Sequence, residues 1–242
     1  MSTRVVRYHT PDELAEGAAA TLLARIQDLQ EAQGRVDLCL TGGRVANRMY
    51  ESLASQFTES GIAPDRLHLW WGDERFVGLT DPDRNALQSL SILARTLHVP
   101  AAQIHPMPGK DGRADPGDAA YAYAQELGET SFDICLLGMG EDGHIASIFP
   151  DHPSFDPTTA TVIGVTDAPK PPAERISLTI NTLNRSKAVW MLVTGDEKAE
   201  SVAKALSGDW FLPAARVHGT DETLLFLDAE AAALLPRFNC LL

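Results

Sequence analysis

Compact apolar runs alternate along this chain with longer amphipathic stretches. Val36 to Leu40, Leu67 to Trp71, Ile134 to Leu137 and Ala188 to Val193 are bounded by polar residues or glycine, the look of buried strands. Arg4 to Tyr8, Thr161 to Val165, Arg175 to Ile180, Ala215 to Val217 and Leu224 to Leu227 read as further strands, the third of these by alternation.

The intervening stretches carry helix signals. Thr10-Pro11-Asp12-Glu13 is a helix start, with Thr10 as N-cap, Pro11 at N1 and Glu13 at N3. That helix is expected to run to Gln33 and to stop at Gly34. Others are expected over Ala46–Ser60, Asn85–Leu97 and Asp118–Leu127, and from the Thr194–Lys198 turn to Leu206. Pro106 to Gly117 reads as an irregular connection and Pro169-Lys170-Pro171-Pro172 as a stiff extended linker. Strands alternating with helices predict an α/β fold in three layers, a mostly parallel sheet covered by helices on both faces. Every strand-to-helix turn then lies on the carboxyl edge of the sheet, so residues distant in sequence converge there.

Composition narrows this picture. A chain of 242 residues suits one large domain, or one with a small lobe. No run of about 18 apolar residues occurs, so no membrane span is expected, and Met1 to Thr10 lack the apolar core of a secretory signal. Cys39 and Cys135 lie inside apolar runs and read as buried thiols of a cytosolic protein. The net charge of −13, without a Lys/Arg cluster, argues against nucleic acid or anionic lipid as partners. An anionic ligand would need a locally positive exception.

The candidate chemistry falls on the turns. Phe132 to Pro150 places three glycines (Gly138, Gly140, Gly143) after a buried strand, with Asp142 and His144 two positions apart. Histidine titrates near neutrality, and a general base held by a carboxylate has this arrangement. The other histidines form no metal-ligand spacing with His144, and there is no Gly-x-Ser-x-Gly nucleophile elbow.

Thr41-Gly42-Gly43-Arg44 is a glycine turn into a helix, where free N–H groups suit a phosphate; the alternative is a tight turn with a solvated arginine. In Gly72-Asp73-Glu74-Arg75 the carboxylates could work as an acid/base pair and Arg75 could hold an anion, or Arg75 could pair with its acidic neighbours. Asn85, after Asp83-Arg84, could be no more than a helix cap. In Gly195-Asp196-Glu197-Lys198, Asp196 is expected at an N-cap, and a lysine in a first helical turn opposes the macrodipole unless an anion binds there. Arg175 heads a strand and could face ligand or solvent. Gly138 to Gly143 also fits the dinucleotide pattern G-x-G-x-x-G, with Asp167 near the ribose-acid distance, but Pro150, Pro153 and Pro157 interrupt the required helix.

Taken in order, Leu40-Thr41-Gly42-Gly43, Trp70 to Arg75, Asp83-Arg84-Asn85, Gly138 to Pro150, Arg175 to Thr179 and Gly195 to Ala199 resemble the 6-phosphogluconolactonase family. The resemblance implies a single domain over 1–242 with a Rossmann-like fold of the sugar-phosphate isomerase/lactonase type. It implies a cytoplasmic enzyme, without metal or organic cofactor, that hydrolyses 6-phospho-D-glucono-1,5-lactone in the oxidative pentose phosphate pathway. Its partner would be a phosphorylated sugar lactone, with no nucleic acid or membrane, and its state a monomer or weak homo-oligomer. The resemblance makes His144 the base that activates water, beside Asp142. Gly42, Gly43, Arg44, Asp73, Arg75, Arg175 and Lys198 would bind substrate, mainly at its phosphate.

One departure is Val45-Ala46, where the family usually offers a hydroxyl within the turn. The related glucosamine-6-phosphate isomerases resemble Asp-Gly-His-Ile-Ala-Phe-Asn-Glu-Pro over the same loop. Here Phe149 precedes Pro150 in place of that glutamate, and Arg75 stands where the rival usually has tyrosine, which favours lactone hydrolysis. A non-catalytic sugar-phosphate sensor of this fold would normally carry a DNA-binding module, for which the chain has no room.

Overall fold

The computed structural model describes residues 3–112 and 115–236, so positions 113–114 of the Pro106–Gly117 connection lie outside the described residues. The strands are β1 (Arg4–Arg7), β2 (Val36–Leu40), β3 (Leu67–Trp71), β4 (Asp73–Arg75), β5 (Ile104–His105), β6 (Ile134–Gly138), β7 (Val162–Val165), β8 (Arg175–Leu178), β9 (Ala188–Val193) and β10 (Glu222–Leu227). The helices are α1 (Pro11–Gln33), α2 (Arg44–Gln56), α3 (Asn85–Leu93), α4 (Pro116–Leu127), α5 (Ile180–Leu183), α6 (Ala199–Leu206) and α7 (Pro213–Arg216).

Seven strands form one parallel sheet in the order β1-β10-β9-β6-β2-β3-β5. Alternate side chains separate into two cores, as the strand period requires. Leu38, Leu40, Trp71 and Trp190 pack with α1, α2 and α3 on one face. Cys39, Trp70, Leu137 and Met191 pack on the other face with α4, α6 and α7. Cys39 and Cys135 are buried free thiols. No helix among the described residues is long and apolar enough to cross a membrane.

Local signals are realised where they are self-contained. Thr10 Oγ1 accepts the Glu13 N–H at 3.1 Å, and the Gly34 N–H returns to the Gln30 carbonyl at 3.1 Å, so both ends of α1 are closed. Asp115 caps α4 through Gly117 and Asp118, and the helix starts at Pro116, two residues before the expected position.

Several expectations are corrected. β4, β8 and β7 form a separate antiparallel sheet, so Asp73–Arg75 is a strand and not a loop. β8 stops at Leu178, because Thr179 turns to cap α5. Ala215 and Arg216 are helical, not a closing strand: Pro213 sets the helical φ at the start of α7. Ile104–His105, too short to show a period, forms the edge strand β5 beside β3. α2 begins at Arg44, directly after Gly43, and ends at Gln56; α3 ends at Leu93. Pro169–Pro172 is no extended linker but part of a tight turn in which the Ala168 N–H donates to the Ala173 carbonyl at 3.0 Å.

Candidate active site

Four neighbouring strands (β9, β6, β2 and β3) deliver their carboxyl-end turns to one cleft of about 250 Å³. Gly42, Gly43, Arg44, Asp73, Arg75, His144, Arg175 and Lys198 all line it. Asp142 stands behind the imidazole: its Oδ1 lies 2.5 Å from His144 Nδ1 and also accepts the His144 backbone N–H at 3.3 Å. The ring rests on buried Phe149, centroids 4.6 Å apart, with about a fifth of the histidine side chain open to the cleft. Burial acts to raise the Asp142 carboxyl pKa, but the bond to His144 and the nearby positive charge outweigh it and hold it well below the usual carboxylate range.

The loop can take this shape because of one glycine. A side chain at Gly140 would strike both the imidazole and the Asp142 carboxylate. The turn is closed by the Gly140 N–H donating to the His144 carbonyl at 2.8 Å. Ala146 adopts φ +48° beyond it, and Ser147 pins the loop to the small sheet. Its Oγ donates to Asp73 Oδ2 at 2.6 Å and its N–H to Ser177 Oγ at 3.2 Å.

The Asp73–Arg75 stretch divides its labour in an unexpected way. Glu74 is fully buried and takes N–H bonds from Arg75 (2.8 Å), Asn85 (2.7 Å) and Ala86 (2.9 Å), with Arg84 at 3.6 Å. It is therefore the anion at the N-terminus of α3, not half of an acid/base pair. Burial still pushes its carboxyl upward against those donors. Arg75 does not pair with its acidic neighbours either. Its Nη1 donates to the Asp83 carbonyl and to Asn85 Oδ1, both at 2.7 Å, while its buried Nε has no partner.

Asn85, read from sequence as a cap, is instead a hub. Its Nδ2 donates to the Asp73 carbonyl at 3.0 Å and Oδ1 at 3.3 Å, and its side chain packs so tightly on Gly42 that a Cβ there would collide. Arg175 is buried, and its Nε and Nη2 are committed to the carbonyls of Pro172, Lys170 and Pro171 at 3.0–3.1 Å. Asp196 is not an N-cap: Gly195 holds that position of a short 3₁₀ turn that ends at Lys198. Val45 lines the cleft without a hydroxyl, but Thr194, at the end of β9, brings one from another turn. Lys170 also lines the cleft and pairs with Glu141 at 3.1 Å. Nothing local marks Lys170 or Thr194, since contacts across distant turns place them.

The lining thus holds five cationic side chains (Arg44, Arg75, Lys170, Arg175, Lys198) against two carboxylates (Asp73, Glu197). This is the local exception that an acidic chain needs in order to hold an anion. Among the described residues no cluster of three or more His, Cys, Asp or Glu side chains is placed to hold a metal.

A cation-lined cleft beside a carboxylate-held imidazole lies at the carboxyl edge of a parallel sheet, where open α/β folds place their ligand sites. The family model described as glucosamine-6-phosphate isomerases/6-phosphogluconolactonase matches residues 9–226, and the chain belongs to that family. Among its relatives, the 6-phosphogluconolactonase of Streptomyces coelicolor is 42% identical over 97% of this chain and 95% of its own. That of Mycobacterium tuberculosis is 38% identical over 98% and 100%. The crystal structure of 6-phosphogluconolactonase from Thermotoga maritima superposes with a TM-score of 0.84 at 27% identity, covering 94% of this chain and all of that one. A monomeric glucosamine-6-phosphate deaminase shares the fold at TM-score 0.79 and 23% identity, over 96% of this chain and 100% of that one.

Proposed function

We infer that the protein, a single catalytic domain, hydrolyses 6-phospho-D-glucono-1,5-lactone to 6-phospho-D-gluconate, as a cytoplasmic enzyme of the oxidative pentose phosphate pathway. The observation that carries this reading is one cleft holding both a carboxylate-bound imidazole and a cluster of cations. The names of the relatives with high coverage agree with it.

In this reading His144 is the general base. With Nδ1 on Asp142, Nε2 takes a proton from water as the water oxygen attacks the lactone carbonyl carbon. It returns that proton to the ring oxygen when the carbon–oxygen bond breaks. Asp142 keeps the tautomer and steadies the imidazolium. Gly42, Gly43 and the N-terminus of α2 receive the phosphate with Arg44, Arg75 and Lys198. Asp73 and Asn85 hold that end in shape, and Arg175 supports it from β8. Phe149 favours hydrolysis over deamination: a buried ring fills the place under His144 where a ring-opening carboxylate would be needed.

The test is a lactonase assay on freshly made 6-phosphogluconolactone, with the spontaneous rate subtracted, beside the unphosphorylated lactone. Turnover of the phosphorylated lactone with a much higher kcat/KM is expected. No rate above background would sink the reading, and equal efficiency on both lactones would remove the phosphate pocket from it.

A further inference from the structure

Four of the five cleft cations have a place in the reading above; Lys170 has none. It sits in the turn between β7 and β8, and its backbone is anchored from inside. Buried Arg175 donates to the carbonyls of Lys170 (3.0 Å), Pro171 (3.1 Å) and Pro172 (3.1 Å), which ties the turn to the head of β8. From that anchored backbone the Lys170 ammonium reaches Glu141 Oε1 at 3.1 Å. Glu141 immediately precedes Asp142, the carboxylate that holds His144. The other cations lean elsewhere: Lys198 lies 4.0 Å from Glu197, and Arg75 is bonded to Asn85 and Asp83. Among the described cleft cations, Lys170 is the one paired with the loop that carries the imidazole.

The pair itself has little stabilising value. Its side chains are 36% and 55% exposed, and ion pairs that open to water contribute little to stability. A buried arginine committed to holding the backbone beneath a lysine is more than such a pair requires. It does suit a charge that must be delivered to a fixed point.

Lactone hydrolysis needs charge at one such point. When water attacks the carbonyl carbon, the C=O electron pair moves onto oxygen, and that oxyanion must form within reach of His144. Donors aimed at a developing oxyanion are among the largest contributions to catalysis. Resting on the proposed lactonase activity, we propose that Lys170 is a catalytic residue: its ammonium exchanges Glu141 for the carbonyl oxygen and stabilises the tetrahedral oxyanion. Water supplies the oxygen and two protons. One proton passes through His144 to the leaving ring oxygen. The second is lost from the new carboxylic acid to solvent, and the carboxylate product remains beside Lys170 until release. Glu141 is the resting partner of the lysine and takes no part in bond making.

The experiment compares the wild type with Lys170→Met, Lys170→Arg and Glu141→Gln in the full chain, each checked for an unchanged thermal midpoint. Lys170→Met keeps the carbonyl that Arg175 holds, so the turn stays in place. Its kcat is expected to fall about 100-fold with KM within about twofold, and Lys170→Arg is expected to recover about tenfold of that loss, being charged and able to donate. Calorimetry supplies a second readout: 6-phosphogluconate should bind Lys170→Met about tenfold more weakly, whereas glucitol 6-phosphate, which lacks the carboxylate, should bind unchanged. Glu141→Gln should keep kcat within about twofold.

An unchanged kcat in Lys170→Met overturns the proposal. So does a raised KM with intact kcat and weakened binding of both ligands, which would make the lysine a phosphate ligand. A fall in Glu141→Gln equal to that in Lys170→Met would make the pair structural and overturn it likewise. A wild type without turnover above the spontaneous rate would instead remove the lactonase reading itself, a result distinct from all three.

Discussion

β9 and β8 are both buried along their whole length, yet they are built from different materials. The six residues of β9, Ala188 to Val193, are all apolar, and Trp190 at its centre packs on Phe226 with ring centroids 5.4 Å apart. β8 reads Arg175-Ile176-Ser177-Leu178, and each of its buried polar groups is satisfied. Arg175 is bonded to three carbonyls, while Ser177 Oγ donates to the Leu178 carbonyl at 2.9 Å and accepts from Ser147. Burial in the large sheet stabilises through apolar area. In the small sheet it fixes direction, because a buried polar group tolerates few geometries once its partners are set. The large sheet is therefore read as the frame, and the small sheet with its attached turns as the part that aims the cleft.

That division can be broken experimentally, beginning with the largest expected effect. His144→Ala should lower kcat on the phosphorylated lactone by about 10²–10⁴-fold while changing unfolding free energy by less than about 1 kcal/mol. A variant with wild-type turnover would take the imidazole out of the mechanism. Trp190→Ala is the opposite case. It should cost about 3–5 kcal/mol in denaturant unfolding and leave the kcat of the folded enzyme near wild type. A selective loss of kcat at unchanged stability would mean that the frame also tunes the chemistry.

Glu74→Gln comes next. The amide presents a donor to one of the three N–H groups that the carboxylate now accepts and removes the charge facing Arg84. A loss of about 1–3 kcal/mol, accompanied by weaker binding of 6-phosphogluconate through Asn85 and Arg75, is expected. Intact stability would show that Glu74 is not what holds α3 in place.

The smallest effect concerns Asp142. Its folded carboxyl lies below the value of about 3.9 for an unfolded chain, so its ionised form favours the folded state. That contribution is complete above the unfolded value and is lost as pH falls through the folded one. Stability differences between wild type and Asp142→Asn should therefore be greatest at neutral pH and shrink below about pH 4. A difference that grows on acidification would reverse the assignment. The pair is partly open to solvent, so the change in midpoint should be modest, whereas the loss of activity should be plain throughout.

Much of the frame was legible before any coordinates. Runs such as Val36–Leu40 and Ala188–Val193 are strands as expected, and α1 starts and stops where Thr10, Pro11 and Gly34 place it. The site loop was legible for the same reason, because Asp142, Gly143 and His144 interact over two positions and Gly140 clears room for them. Polar segments buried by distant partners carry no such local mark. Asp73–Arg75 looks like a loop because its hydrogen bonds go to β8, about a hundred positions away, and Glu74 looks catalytic because two of its three N–H donors come from the start of α3.

The chain by itself determined which stretches become strands and helices, that an imidazole and a carboxylate meet on one turn, and that a glycine turn opens α2. These rest on periodicity, caps and short-range hydrogen bonds, which depend on nearest neighbours alone. Tertiary structure decided which turns share the cleft: Lys170 beside Glu141, Asn85 between Arg75 and Asp73, and Thr194 where Val45 offers no hydroxyl. The reason is the strand order β9-β6-β2-β3, a matter of how whole helices and sheets pack, which no local spacing encodes.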